Sequence, residues 1–195
     1  MRKTQITFDQ VFKIWLDAEV NRIEGRDLLL VAKAKGFTSI AEWRLSTALR
    51  FGMDKKDWTL EVIKNPNAVL PKIIIGPYMG WSKFFENRLN TTFAEALEIP
   101  EFFNWCKTHD RVVPLSKKFP LPSSIILFKR PDGRLIHVEG GHRICAAAFA
   151  QKLGRPVNFK NRPALTAAIA PVTEREIRQL IAFIKQGTAK QAKEG

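Results

Sequence analysis

The residues best placed to do chemistry stand together at Glu139-Gly140-Gly141-His142-Arg143. The run before them, Arg134 to Val138, reads as a strand, and His142 to Leu153 reads as an Ala-rich helix that ends at Gly154. The five residues therefore fall at a strand-to-helix turn. Gly140 and Gly141 let the backbone turn tightly and come close to a ligand, and the opening of the helix presents N–H groups and a positive dipole end. Arg143 adds a planar fork suited to phosphate oxygens, and His142 adds a donor when protonated or correctly tautomerised. The same residues also fit a turn in which glycine is steric convenience and Arg143 pairs with a carboxylate. Spacing leaves both uses open.

The charge distribution points the same way as the phosphate chemistry. Of a net charge of +13, the stretch Arg111–Gly195, with 16 Lys and Arg against 5 Asp and Glu, carries +11. An anionic partner is expected, either nucleic acid or a phosphorylated small molecule, with a solvated basic surface as the plain alternative. Lys117 and Lys118, with Ser116 and Arg111, precede the first strand of this half and could bring charge to phosphates. Lys129, Arg130 and Arg134 flank a hairpin and could instead form a nucleic-acid stripe. His109 and His137 are read as structural, because no second metal-type residue stands beside them at a ligand spacing, and no metal site is expected. Cys106 and Cys145 lack a CxxC spacing; they read as buried thiols, with one disulfide as the most they could form.

These groups need a scaffold, and 195 residues with 45% hydrophobic content suffice for a single core. No apolar run approaches the roughly 18 residues of a membrane span, and the polar start is unlike a signal peptide, so a cytoplasmic protein without a membrane partner is expected. Helical spacing predicts helices from Thr7 to Arg22, with Asp9 as N-cap, from about Gly25 to Lys35, and from Ile40 to Phe51. The last two, joined through Gly36, outline a helix-turn-helix, an outline that any pair of packed helices shares. Residues 1–64 thus form a mainly helical region, a possible helix-turn-helix or cap. Residues 65–187 follow as an α+β domain with a helical insertion, and 188–195 as a flexible tail.

Within the second region Ile73-Ile74-Ile75 runs into Gly76-Pro77-Tyr78-Met79-Gly80-Trp81, a shaped loop. Tyr78 and Trp81 could stack on a substrate or plug a core edge. A short helix capped by Asn90-Thr91-Thr92 and another from Pro100 to about His109 come next. Strands are predicted at Ser124–Lys129, Pro156–Phe159 and Leu165–Ile169, and Thr173 with Glu176 forms a capping box for a helix Glu174–Lys185.

The segment Leu135-Ile136-His137-Val138-Glu139-Gly140-Gly141-His142-Arg143-Ile144-Cys145-Ala146-Ala147 resembles the signature of the ParB/sulfiredoxin superfamily, whose members bind nucleotide phosphates at this turn. The resemblance covers about Pro114 to Phe159 and implies an α+β fold, a small mixed sheet with flanking helices, preceded here by the mainly helical region. Sulfiredoxins place a reactive cysteine where this chain has Gly141, which disfavours sulfinic reductase activity. ParB proteins read Gly-Glu-Arg-Arg, and Arg143 alone matches. Free-amino-acid kinases read Asp-Gly-His-His-Arg, the nearest of the three patterns. By this resemblance Gly140, Gly141, His142 and Arg143 would hold the phosphates of ATP, ADP or CTP, and Glu139 could coordinate Mg²⁺ or orient a nucleophile. Glu139 and His142 are then the catalytic candidates, and Glu61, Glu86, Asp110 and Glu139 the possible bases. The resulting expectation is a nucleotide-phosphate-binding protein, with NTP hydrolysis or small-molecule phosphorylation as its chemistry. The alternative is a ParB-like protein that grips DNA backbone phosphates through its basic half. The nucleotide reading implies that Arg143→Ala abolishes binding while leaving the fold intact.

Overall fold

The computed structural model describes residues 3–20, 28–76, 78–85, 89–159 and 165–186. In chain order the elements are β1 (Thr4–Ile6), α1 (Phe8–Val20), α2 (Leu28–Ala34), α3 (Ile40–Arg50), β2 (Trp58–Val62), α4 (Pro66–Val69), α5 (Met79–Ser82), α6 (Phe93–Ala96), α7 (Pro100–Thr108), α8 (Val112–Lys117), β3 (Ser123–Lys129), β4 (Leu135–Glu139), α9 (Gly141–Lys152), β5 (Leu165–Pro171) and α10 (Glu174–Gln186). The strands make one mixed sheet in the order β1-β2-β5-β3-β4. Among the described residues β3 and β5 pair in parallel, and the other three strand pairs are antiparallel.

β3 explains why the sheet is buried on both faces. Its run Ile125-Ile126-Leu127-Phe128 has no polar residue to turn outward, and side chains alternate along a strand. Ile125 and Leu127 join one core with Phe93, Phe102, Phe149 and Ala146, Ala147 and Ala148 of α9. Ile126 and Phe128 join a second core with Val11 and Trp15 of α1, Ala48 of α3 and Leu180 of α10. Helices thus cover both sides of a central sheet. Residues 1–64, predicted as mainly helical, also supply β1 and β2, which extend the same sheet. β1 is too short, and β2 (Trp58-Thr59-Leu60-Glu61-Val62) too weakly alternating, to announce themselves.

Local chemistry also moves other boundaries. Thr7 and Gln10 bond reciprocally, so Thr7 rather than Asp9 caps α1. Pro156–Phe159, predicted as a strand, is irregular chain. The predicted hairpin forms, and its second strand β4 carries a register shift: Ile126 faces Glu139 while Leu127 faces His137. The outer side of β4 meets the Ile73-Ile74-Ile75 run, with the Ile74 N–H donating to Leu135 O and the His137 N–H donating to Ile74 O. The start of the Gly25–Lys35 helix, the end of the Thr7–Arg22 helix and the 188–195 tail lie outside the described residues.

Candidate functional site

At the end of β4 the chain enters Gly140 at φ 91°, ψ 12°, a left-handed conformation that favours glycine, and α9 begins immediately after it. No side-chain hydrogen bond caps this helix at Gly140. A side chain at Gly140 would also be unwelcome sterically, since a Cβ there would stand 2.5 Å from Ile125 Cγ2. At Gly141 a Cβ would meet His137 Nε2 at 2.6 Å. Both glycines of the motif are therefore required by packing.

His137 is the reason for the second of them, and for Gly76 as well, where a Cβ would come within 1.8 Å of the His137 carbonyl oxygen. The imidazole is buried, and its Nδ1 accepts a 2.6 Å hydrogen bond from the Gly76 N–H. Burial holds its pKa down to about 3 against the opposing effect of a backbone hydrogen bond with Ile74. The ring is thus neutral, with its proton on Nε2. This agrees with the structural role read for it from sequence.

Arg143 lies in the first turn of α9 and folds back on the strand-to-helix turn. It donates from one guanidinium nitrogen to Ser123 Oγ at 2.8 Å and from the other to Glu139 Oε2 at 2.5 Å. Glu139 is 7% exposed and Arg143 17%, measured on their side chains. The carboxylate-paired use of Arg143 left open by spacing is the one this structure shows. The Glu139 carboxylate is thus buried, with its Oε2 engaged by Arg143. Among the described residues no group of three or more His, Cys, Asp or Glu side chains could hold a metal ion. Ser123, at the start of β3, was missed because a serine opening a strand carries no signal of the arginine it will meet.

His142 is half-buried, and here the structure adds most to the sequence. Its ring centroid lies 5.0 Å from that of Trp81 and 5.1 Å from that of His109, which in turn sits 4.1 Å from Trp105. Helix α7 and the loop after it thus bring a second imidazole and a second indole to the mouth of the turn. The Nδ1 of His109 lies 3.1 Å from the Arg111 N–H and 3.4 Å from the Val112 N–H, and 3.1 Å from Asp110 Oδ1. Two N–H donors require a lone pair on that nitrogen, so the Asp110 contact is a close approach of an exposed carboxylate and the proton resides on Nε2. Nothing in the local sequence around His109 announces its neighbour on another helix.

The remaining predicted residues separate into those that join the site and those that do not. Trp81 is buried against Phe93, Phe102, Trp105 and both His137 and His142, so it plugs the core behind the site. Tyr78 donates its hydroxyl to Val138 O and leans on His137. Lys117 and Lys118 are elsewhere: they end α8, and Lys117 shares a hollow with Arg155, which follows the far end of α9. The run of helix from His142 to Lys152 puts that end roughly 15 Å from His142. Their position is that of cations complementing helix C-termini. Arg130 reaches toward Asp132 and Glu174, and Arg134 pairs with Asp132, which ties down the predicted hairpin stripe. Glu61 lies on β2, three strands from β4, and pairs with Lys3; Asp110 is exposed, and Glu86 is outside the described residues.

The two cysteines are buried with their sulfurs 3.6 Å apart as free thiols, Cys106 on α7 and Cys145 on α9. Burial and the neighbouring sulfur push the Cys145 thiol up, so it is not a reactive thiolate. The helix-turn-helix outline does place α2 and α3 in contact. Its second helix, however, buries Arg44 against Glu19 at 2.5 Å, lays Arg50 over Phe183, and turns Ala41, Leu45 and Leu49 outward. The outward face of this helix is thus lined by Ala41, Leu45 and Leu49. None of the described helices is long and apolar enough to cross a membrane. No family model, curated protein or solved structure matches the chain.

Proposed function

We propose that the chain is a nucleotide-phosphate-binding protein of the ParB/sulfiredoxin type, with the phosphates held at the start of α9. The observation that carries this reading is the convergence of His109 and His142, 5.1 Å apart, on a glycine-capped helix N-terminus in the most basic half of the chain. The first-turn N–H groups and the dipole end suit an anion, and two imidazoles beside them supply directed donors. Two of the five N–H donors of Arg143 go to Glu139 and Ser123, and the bound guanidinium keeps its charge beside Gly140, where it offsets the Glu139 carboxylate. Trp105 and His109 give the mouth a π surface for a base or sugar. ATP, ADP and CTP remain the ligands to test. Hydrolysis or transfer would need a base other than Glu139, since that carboxylate serves Arg143.

The test is a calorimetric titration of ATP, ADP and CTP, each with Mg²⁺, into the wild type, His142→Ala, His109→Gln and Arg143→Lys. Saturable binding in the wild type is expected, with affinity reduced about tenfold or more in each variant, since a charge-assisted hydrogen bond contributes roughly 1.5–3 kcal/mol. Absence of wild-type binding, or equal affinity in all four proteins, overturns the reading. Arg143→Lys replaces the Arg143→Ala expected from sequence to leave the fold intact, because the structure shows Arg143 paired with a buried carboxylate.

A further inference from the structure

At the opposite end of α9 from the proposed nucleotide site lies a hollow of about 410 Å³, walled on one side by Ser116, Lys117, Phe119 and Leu121 and on the other by Arg155 to Asn158. The second wall is tied to the body of the protein. α9 is closed by an Arg155 N–H bond to Ala150 O, and the side-chain amide of Asn67 donates to Val157 O at 3.0 Å. The walls are tied to each other by an edge-on contact between Phe119 and Phe159, 5.3 Å between centroids.

The lining combines two chemistries. Lys117 and Arg155 are its charged groups, both exposed, and no Asp or Glu is among the residues that form it. Neither cation has an ion-pair partner among the described residues. Beneath them Phe119, Leu121 and Val157 offer half-buried apolar surface, with Ser116 and Asn158 as polar groups at the rim. A volume of this order is that of a small-molecule pocket. Dipole complementarity explains why cations stand at helix ends, but it does not call for a hollow with apolar walls between them.

We propose that this hollow is a second anion site, for a small phosphate ester with an aromatic or aliphatic body. Its phosphate bridges Lys117 and the planar fork of Arg155, and its body rests on Phe119, Leu121 and Val157. The site is independent of the turn at Gly140, from which the twelve residues of α9 separate it by roughly 18 Å.

Phenyl phosphate matches this chemistry and is the probe. Titrated into ¹⁵N-labelled full-length protein, it should give saturable shifts in the amides of Ser116, Lys117, Arg155, Val157 and Asn158, and it should bind at least threefold more tightly than inorganic phosphate. In the double variant Lys117→Gln/Arg155→Gln, whose substitutions are exposed, binding should weaken tenfold or more while the rest of the spectrum is unchanged. The proposal is overturned by absence of saturation, by unaltered affinity in the double variant, by phenyl phosphate binding no better than inorganic phosphate, or by shifts confined to His142 and its neighbours.

Discussion

Replacing Arg143 by alanine should destabilise the protein before it reveals anything about ligands. The Glu139 carboxylate is 7% exposed and receives its 2.5 Å bond from Arg143, whose other guanidinium nitrogen serves Ser123. Removing one partner of a buried ion pair leaves a charge without compensation, at a cost of about 3–5 kcal/mol. Arg143 keeps some contact with solvent, so water can reach the gap, and the lower end of that range, about 3 kcal/mol, is expected. In urea this lowers the unfolding midpoint by about 1 M or more at an unchanged slope. A double-mutant cycle isolates the pair: Arg143→Ala, Glu139→Gln and the combination, each followed by circular dichroism at fixed pH and salt. Glu139→Gln retains the shape of the side chain and removes the charge, so the combination should recover part of the Arg143→Ala loss. A coupling of about 1–3 kcal/mol is expected for groups in direct contact. A midpoint for Arg143→Ala within about 0.2 M of the wild type, or a coupling near zero, would refute the reasoning and return Arg143 to the status of a side chain available to a ligand.

Further perturbations follow from the His137 environment. Gly141→Ala places a methyl 2.6 Å from His137 Nε2 and should cost about 1–3 kcal/mol by overpacking, whereas Gly76→Ala, at 1.8 Å from a backbone carbonyl that cannot step aside, should prevent accumulation of folded protein; equal urea midpoints for wild type and Gly141→Ala would sink the account. The pKa of His137 is about 3 in the folded protein against 6.5 when unperturbed, so below pH 6.5 the unfolded chain binds the proton that the native state refuses. The stability attached to this residue is therefore complete above pH 6.5 and declines as pH falls toward 3, at up to about 1.4 kcal/mol per pH unit. His137→Asn, which keeps an acceptor for the Gly76 N–H, should show a shallower decline between pH 6.5 and 5 in urea titrations. Parallel curves for the two proteins would show that His137 is not the titrating group.

What the sequence made legible was governed by range. Strand β3, the hairpin, α9 and α10 follow from apolar runs, a Pro-Asp-Gly turn, an Ala-rich segment closed by glycine and a Thr-x-x-Glu cap, all signals that residues within a few positions supply. The strands β1 and β2 were hidden because three residues of β1 and the mixed face of β2 owe their conformation to pairing with β5 and with each other across the sheet. The site shows the same division. Glu139 to Arg143 could be recognised as a strand-to-helix turn, but the partners that decide their use lie far off in the chain: Ser123 for Arg143, Ile125 for Gly140, and His109 and Trp81 for His142. Lys117 and Lys118 were grouped with the motif by charge alone, and charge is silent on which end of a helix it occupies.

The glycine pair of the turn is consequently poor evidence for a ligand. Gly140 is compelled by its left-handed backbone and by Ile125, and Gly141 by the His137 ring, so both would be needed in a protein that bound nothing. The same holds for Glu139 and Arg143, which satisfy each other. A ligand reading must rest on other groups, and the imidazoles of His109 and His142, packed on Trp105 and Trp81 beside the start of α9, are the ones to test. Neither is buried, so a smaller or neutral polar side chain can replace each ring without exposing a buried charge. Substitution at the glycines, or of Arg143 by alanine, confounds binding with folding, whereas His109→Gln and His142→Ala separate them. If affinity for nucleotide falls in these two while their urea midpoints stay within about 0.5 kcal/mol of the wild type, the loss belongs to recognition; if midpoint and affinity fall together, the two histidines are part of the aromatic core and the turn is architecture.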